Sequence, residues 1–145
     1  MKAKTFVCVS IPVFLTLLFT VRPVPAAELV FFPDPNLKAV VEKALGITDP
    51  TPDDMLNLHY WDANWCGITD LTGLGYAVNL KLLKLDGNKL TSLPPEIGNL
   101  VNLRELYLFD NQLVSLPPEI GNLSSLTDMG LGYNHLATLP PEIGN

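Results

Sequence analysis

A 23-residue period governs the second half of this 145-residue chain. Leu80, Leu103 and Leu126 open three segments in strict register (103 − 80 = 126 − 103 = 23). Each follows L-x-x-L-x-L-x-x-N-x-L, with Met129 in the second leucine place of the third segment. Each then runs into a tail Leu-Pro-Pro-Glu-Ile-Gly-Asn, starting at Leu93, Leu116 and Leu139. A period of this size is the signature of a solenoid, because one such unit cannot bury its own apolar face and must stack on its neighbours. Solenoids present extended surfaces to partners.

Counting from the first leucine of each segment, positions 1, 4, 6 and 11 should point inward and stack as columns. They are Leu58/Leu80/Leu103/Leu126, Trp61/Leu83/Leu106/Met129, Ala63/Leu85/Leu108/Leu131 and Ile68/Leu90/Leu113/Leu136. The strands should form a parallel ladder with a spacing of about 4.8 Å. The chain turns after each strand, leaving backbone groups inside the stack. An amide side chain both donates and accepts, which assigns Asn88, Asn111 and Asn134 to bond them. The Pro-Pro pairs fix an extended or turn-like path on the convex side.

The first of these units is degenerate. Residues 58–79 fit the template with Trp61 and Ala63 for leucines and Cys66 in the asparagine place, which a small weak donor tolerates in a buried position. Four repeats result: 58–79, 80–102, 103–125 and an incomplete 126–145. Residues 27–57 read as a helical N-terminal cap. Asp34-Pro35 is a helix start, with Asp as N-cap and Pro in the first turn. The helix should run to Leu45, with Leu37, Val40, Val41, Ala44 and Leu45 on one face and Gly46 as terminator. Thr51-Pro52-Asp53-Asp54 is a second start, after which Met55, Leu56 and Leu58 should cover the first strand.

Residues 1–26 read as a secretion signal. Lys2 and Lys4 precede an apolar run over residues 5–21, and small residues with prolines follow, placing cleavage near Ala26 or Ala27. An uncleaved membrane anchor is the alternative. Removing residues 1–26 takes three of nine basic residues and none of fifteen acidic ones, so the net charge becomes 6 − 15 = −9. Nucleic-acid binders carry a basic stripe, so nucleic acid is an unsuitable partner. Cys66 alone would remain, too few for an internal disulfide. The chain stops at Asn145 where Asn99 and Asn122 are each followed by leucine. The expectation is a fragment of a longer protein, or an open leucine end that invites self-association.

Residues 80–145 resemble short leucine-rich repeats with the L-P-P-E-I-G-N-L phrase of Ras-group-related plant and bacterial proteins. Residues 30–79 are similar to the N-terminal cap and first repeat of exported bacterial internalin-like proteins, through Phe32-Pro-Asp-Pro-Asn-Leu-Lys-Ala and Gly67-Ile-Thr-Asp-Leu-Thr-Gly-Leu. The resemblance implies an α/β leucine-rich repeat solenoid. Parallel β-strands would line the concave face, and short turns or 3-10 helices the convex face. It also implies a protein ligand held on the concave strand face, in a secreted or cell-envelope protein.

Strand positions 3, 5, 7 and 8 should face the concave side. The candidate binding residues among them are Tyr60, Asp62, Trp65, Lys84, Tyr107, Phe109 and Tyr133, with Arg104 at the strand edge. Exposed Trp and Tyr are common anchors at interfaces, and Lys84 with Arg104 should form a basic spot. Glu96, Glu119 and Glu142 make a convex row in like environments, unlike the differentiated carboxylate pair of an acid–base site. His59 and His135 fall in different repeats, and no zinc, calcium or phosphate-loop spacing is present. No enzyme activity, cofactor or metal is expected. The expected function is an exported protein-binding module. The alternatives are the recognition arm of a larger receptor or enzyme, and a structural self-associating envelope protein.

Overall fold

The computed structural model describes residues 28–144; the secretion-signal reading of residues 1–26 lies outside them. Helix α1 (Pro35–Leu45) and the single turn α2 (Pro52–Met55) precede four strands, β1 (Tyr60–Asp62), β2 (Leu82–Lys84), β3 (Glu105–Tyr107) and β4 (Asp128–Gly130). A 3-10 helix follows each strand: η1 (Leu74–Tyr76), η2 (Pro95–Asn99), η3 (Pro118–Asn122) and η4 (Pro141–Gly144). The strands pair in parallel in chain order. Trp61 registers with Leu83, Leu83 with Leu106 and Leu106 with Met129.

The leucine columns form the core. Positions 1, 4, 6 and 11 are buried in the first three repeats, Trp61 among them. Leu126, Met129, Leu131 and Leu136 are only half-buried, because no described residue packs on the outer side of β4. Inside the stack the asparagines work as a ladder. Asn88 Nδ2 donates to the carbonyls of Ala63 and Leu85, and its Oδ1 accepts from the Ile68 N–H. Asn111 and Asn134 repeat the arrangement one and two units later. Cys66 departs from its expected buried place: it is half-buried, and its thiol donates only to the Asn64 carbonyl at 3.3 Å. A thiol lacks the reach and second donor of an amide, so the ladder begins at Asn88.

The Pro-Pro pair splits its duties. Pro94 and Pro117 are extended (φ −70 and −72, ψ 150), and the second proline begins the 3-10 helix. The helices then stack closely. A methyl group on Gly98 would meet the Glu119 carbonyl oxygen at 2.6 Å, and one on Gly121 the Glu142 oxygen at 2.6 Å. Glu119 and Glu142 are half-buried and Glu96 is exposed, so the convex carboxylate row is solvated only in part.

Asp34 joins the helical segment to the repeats. Its Oδ1 accepts from the N–H groups of Asn36 and Leu37, capping α1. Its Oδ2 accepts from the Thr69 N–H and hydroxyl, both at 2.6 Å, and from the Asp70 N–H. Burial pushes this carboxyl up, but the Thr69 hydroxyl and the N–H groups of Thr69, Leu37 and Asn36 outweigh it and lower its pKa to about 2. Gly46, in the left-handed region at φ 71, ends α1. Leu37 and Val41 are buried, whereas Ala44 is exposed, so the docked face of α1 is narrower than its apolar periodicity implied. Thr51 and Asp54 form the capping box of α2. Met55 and Leu58 are buried there, but Leu56 faces outward, because a single turn can bury only one side.

Candidate functional site

The strand backbone fixes which side chains meet solvent on the concave side. Successive strand residues alternate faces, so the buried Trp61 leaves Tyr60 and Asp62 exposed on either side of it. Tyr60 is 69% exposed, and Lys81 Nζ lies 5.9 Å from its ring centroid. In β2 and β3 the corresponding residues are Leu82 and Lys84, and Glu105 and Tyr107, all half-buried. Asn64, Leu82, Lys84, Asp86, Glu105 and Tyr107 line a shallow depression at the centre of the face. The Tyr107 hydroxyl donates to Glu105 at 3.0 Å. That bond, then burial, then the charges of Glu105, Asp128 and Asp86 raise the Tyr107 pKa above its usual value.

Lys84 and Arg104 do not come together as a basic spot. Lys84 registers with Tyr107 and sits in the depression beside Asp86 and Glu105. Arg104 precedes β3, where its N–H bonds the Lys81 carbonyl. The basic edge of the face is therefore Lys81 with Arg104, at the strand entrances. Lys84 instead lines the central depression together with Asp86 and Glu105.

At the strand exits the chain does something the leucine pattern does not announce. Position 8 is left-handed in every repeat, with φ of 59 at Trp65, 65 at Gly87, 53 at Asp110 and 53 at Tyr133. Three of the four are not glycine, which is uncommon in this region. Position 7 carries a second polar ladder: Asn64 Oδ1 accepts from the Asp86 N–H, and Asp86 Oδ1 from the Phe109 N–H.

Aromatic rings at these places lean over glycines of the next repeat. A side chain on Gly87 would come within 2.0 Å of the Trp65 ring, one on Gly130 within 3.1 Å of Tyr107, and one on Gly132 within 3.0 Å of Phe109. Phe109 also meets Tyr133 edge-on, with ring centroids 4.7 Å apart at 63°. The structure thus gathers Phe109 with Tyr133, and Lys84 with Tyr107. Tyr60 and Asp62 stand on β1, and Trp65 extends over the second repeat. Sequence reasoning missed the roles of Gly87, Gly130 and Gly132. The available signal was an aromatic followed by glycine exactly one repeat later at the same position.

Hydrogen-bonding and packing chemistry dominates this surface. Among the described residues no group of three or more His, Cys, Asp or Glu side chains is placed to hold a metal ion. No helix among them is long and apolar enough to cross a membrane.

The leucine-rich repeat family model matches residues 78–136. A leucine-rich repeat protein of Leptospira interrogans is 44% identical over 53% of this chain and 20% of its own, with a TM-score of 0.52. An internalin of Listeria monocytogenes superposes with a TM-score of 0.65, at 21% identity over 79% of this chain and 38% of its own. The functional domain of InlJ, also from Listeria monocytogenes, gives 0.68 at 26% identity over 76% and 24%. Residues 78–136 thus carry leucine-rich repeats, and the fold is internalin-like. The chain spans less than two-fifths of each of these solved chains. No curated protein matches it.

Proposed function

We propose that this protein is an exported protein-binding module whose contact surface is the concave strand face. One observation carries the reading: the leucine columns of the first three repeats are buried within the stack, yet Tyr60, Trp65 and Tyr133 stand 69%, 70% and 77% exposed on one face. Large rigid aromatics gain most from being covered, and they dominate the energetics of protein interfaces. The candidate contact residues are Tyr60, Asp62, Trp65, Lys84, Arg104, Tyr107, Phe109 and Tyr133. Residues 28–57 act as the N-terminal cap of the solenoid, with the Asp34 bonds to Thr69 and Asp70 in support. The role is recognition and not catalysis, in a secreted or envelope protein released by cleavage near Ala26 or Ala27.

The test compares immobilised wild-type protein with a strand-face variant (Tyr60→Ala, Lys84→Ala, Tyr107→Ala) and a convex variant (Glu96→Gln, Glu119→Gln). Bound extracellular or envelope proteins are identified by mass spectrometry. A partner held by the wild type and the convex variant and lost by the strand-face variant is expected. A partner held equally by all three would sink the assignment. Intact mass and N-terminal sequence of the protein from its native cells test export; an uncut Met1 is the contrary result.

A further inference from the structure

The strand-exit rim of the concave face has an order of its own. Down position 8 the residues are Trp65, Gly87, Asp110 and Tyr133, all left-handed and therefore all turned alike. Trp65 fills the space above Gly87, and Phe109 fills the space above Gly132 while bracing Tyr133. The rim thus presents an indole over the second repeat, the Asp110 carboxylate in the third, and a phenyl–phenol pair over the fourth. Backbone bonds from Trp65 to Asp86, Gly87 to Phe109 and Asp110 to Gly132 hold the steps together. Along position 8, Asp110 stands two repeats after Trp65 and one before Tyr133, with a strand spacing of about 4.8 Å per repeat.

Asp110 differs from the other carboxylates of the face. Asp62 and Asp86 accept backbone N–H groups, Glu105 accepts the Tyr107 hydroxyl, and Asp128 accepts the Thr127 hydroxyl. Asp110 is exposed, and among the described residues its carboxylate makes no hydrogen bond or ion pair. The opposite, strand-entrance edge carries Lys81 and Arg104. Charge therefore changes sign across the face, which steers a cationic group to the aromatic rim.

A planar guanidinium is the group that meets both features. It stacks on aromatic faces and forks two parallel N–H bonds onto one carboxylate, whereas an ammonium is more strongly hydrated and cannot stack. We infer that this rim docks an arginine-bearing extended segment of a protein partner, one guanidinium pairing with Asp110 between Trp65 and the Phe109–Tyr133 pair. The inference rests on the concave face being the contact surface, and it names the chemistry recognised there.

The probe is a blocked octapeptide with two arginines in a glycine–serine background, titrated into the protein by calorimetry and by tryptophan fluorescence. The control has citrulline for both arginines, keeping shape and removing charge. Saturable binding of the arginine peptide is expected, with the citrulline peptide weaker by about tenfold or more. Asp110→Asn, which tolerates the left-handed backbone equally well, should weaken the arginine peptide by about tenfold. Trp65→Asn should do the same, and Lys81→Ala should not weaken it. Circular dichroism verifies that each variant is folded. Equal binding of the two peptides, or unchanged affinity in Asp110→Asn, overturns the inference. A protein partner lost by the strand-face variant but indifferent to Asp110→Asn overturns it while leaving the contact surface standing. A partner indifferent to both variants removes both.

Discussion

At Asn111 one amide ties together two successive repeats. Its Nδ2 donates to the carbonyls of Leu85, Leu108 and Phe109, and its Oδ1 accepts from the Leu90 N–H. Asn111→Ala strands those buried groups, and a buried group left unpaired costs about 1–3 kcal/mol. The variant should lose about 3 kcal/mol in urea unfolding. Asn134→Ala should lose about 1 kcal/mol, because Asn134 is half-buried and water can replace the amide. Asp34 gives a second residue-scale prediction, in pH. Its carboxyl is lowered from 3.8 to about 2 in the fold, so its contribution is present above about pH 4 and is lost as the pH falls through 2. The shift corresponds to about 2 kcal/mol. Stability measured between pH 5 and pH 2 should fall less steeply for Asp34→Asn than for the wild type, and the variant should be the less stable of the two at pH 7. Equal slopes would remove Asp34 from the acid response.

The elements depend on small residues at the seams between repeats. Gly98 lies in η2, where a methyl group would collide with the Glu119 oxygen at 2.6 Å and its Cβ at 2.9 Å. Both obstacles belong to the next repeat or its backbone, so neither can swing aside. Gly98→Ala should therefore destabilise by about 1–3 kcal/mol, read as a lowered melting temperature. The same change at Gly46, with nothing within 4 Å, carries only the left-handed backbone penalty of about 1 kcal/mol. Strand positions, the asparagine ladder and the 3-10 turns were legible in the sequence, because a role repeated every 23 residues is stated three times over. The Asp34 clip was not legible: it joins residues 35 apart in a segment that repeats nothing. The docked width of α1 was overstated for a related reason. Periodicity marks which side of a helix is apolar, and Ala44 lies at the margin of that side, where packing alone decides exposure.

As a whole the molecule is a stack whose burial falls off in the fourth repeat. Leu106 has a neighbour in register on both sides, Leu83 and Met129, whereas Met129 has only Leu106 among the described residues. Stability in such arrays is close to a sum of units and nearest-neighbour interfaces. Leu106→Ala should cost about 3 kcal/mol and Met129→Ala about half of that. Amide exchange should also be slowest in β2 and β3 and faster in β4, a gradient that uniform exchange across the four strands would contradict. The candidate surface was only partly legible at this scale. Inward and outward positions followed from the period. The charge division between strand entrances and exits emerges only with neighbouring repeats side by side in space, whereas the aromatics leaning on glycines left a trace in the register of the repeats.

The left-handed turn at position 8 sets robustness against contact. Tyr133 and Asp110 hold a backbone conformation that glycine adopts freely and that costs other residues about 1 kcal/mol. Gly87 already shows the relaxed solution in the second repeat. Anyone hardening this scaffold against heat would place glycine at 110 and 133, and each change would shave away part of the surface available to another molecule. The tolerance of those two sites to glycine in a melting experiment, set beside their tolerance in a binding experiment, measures how far this chain has been shaped for recognition at the expense of durability.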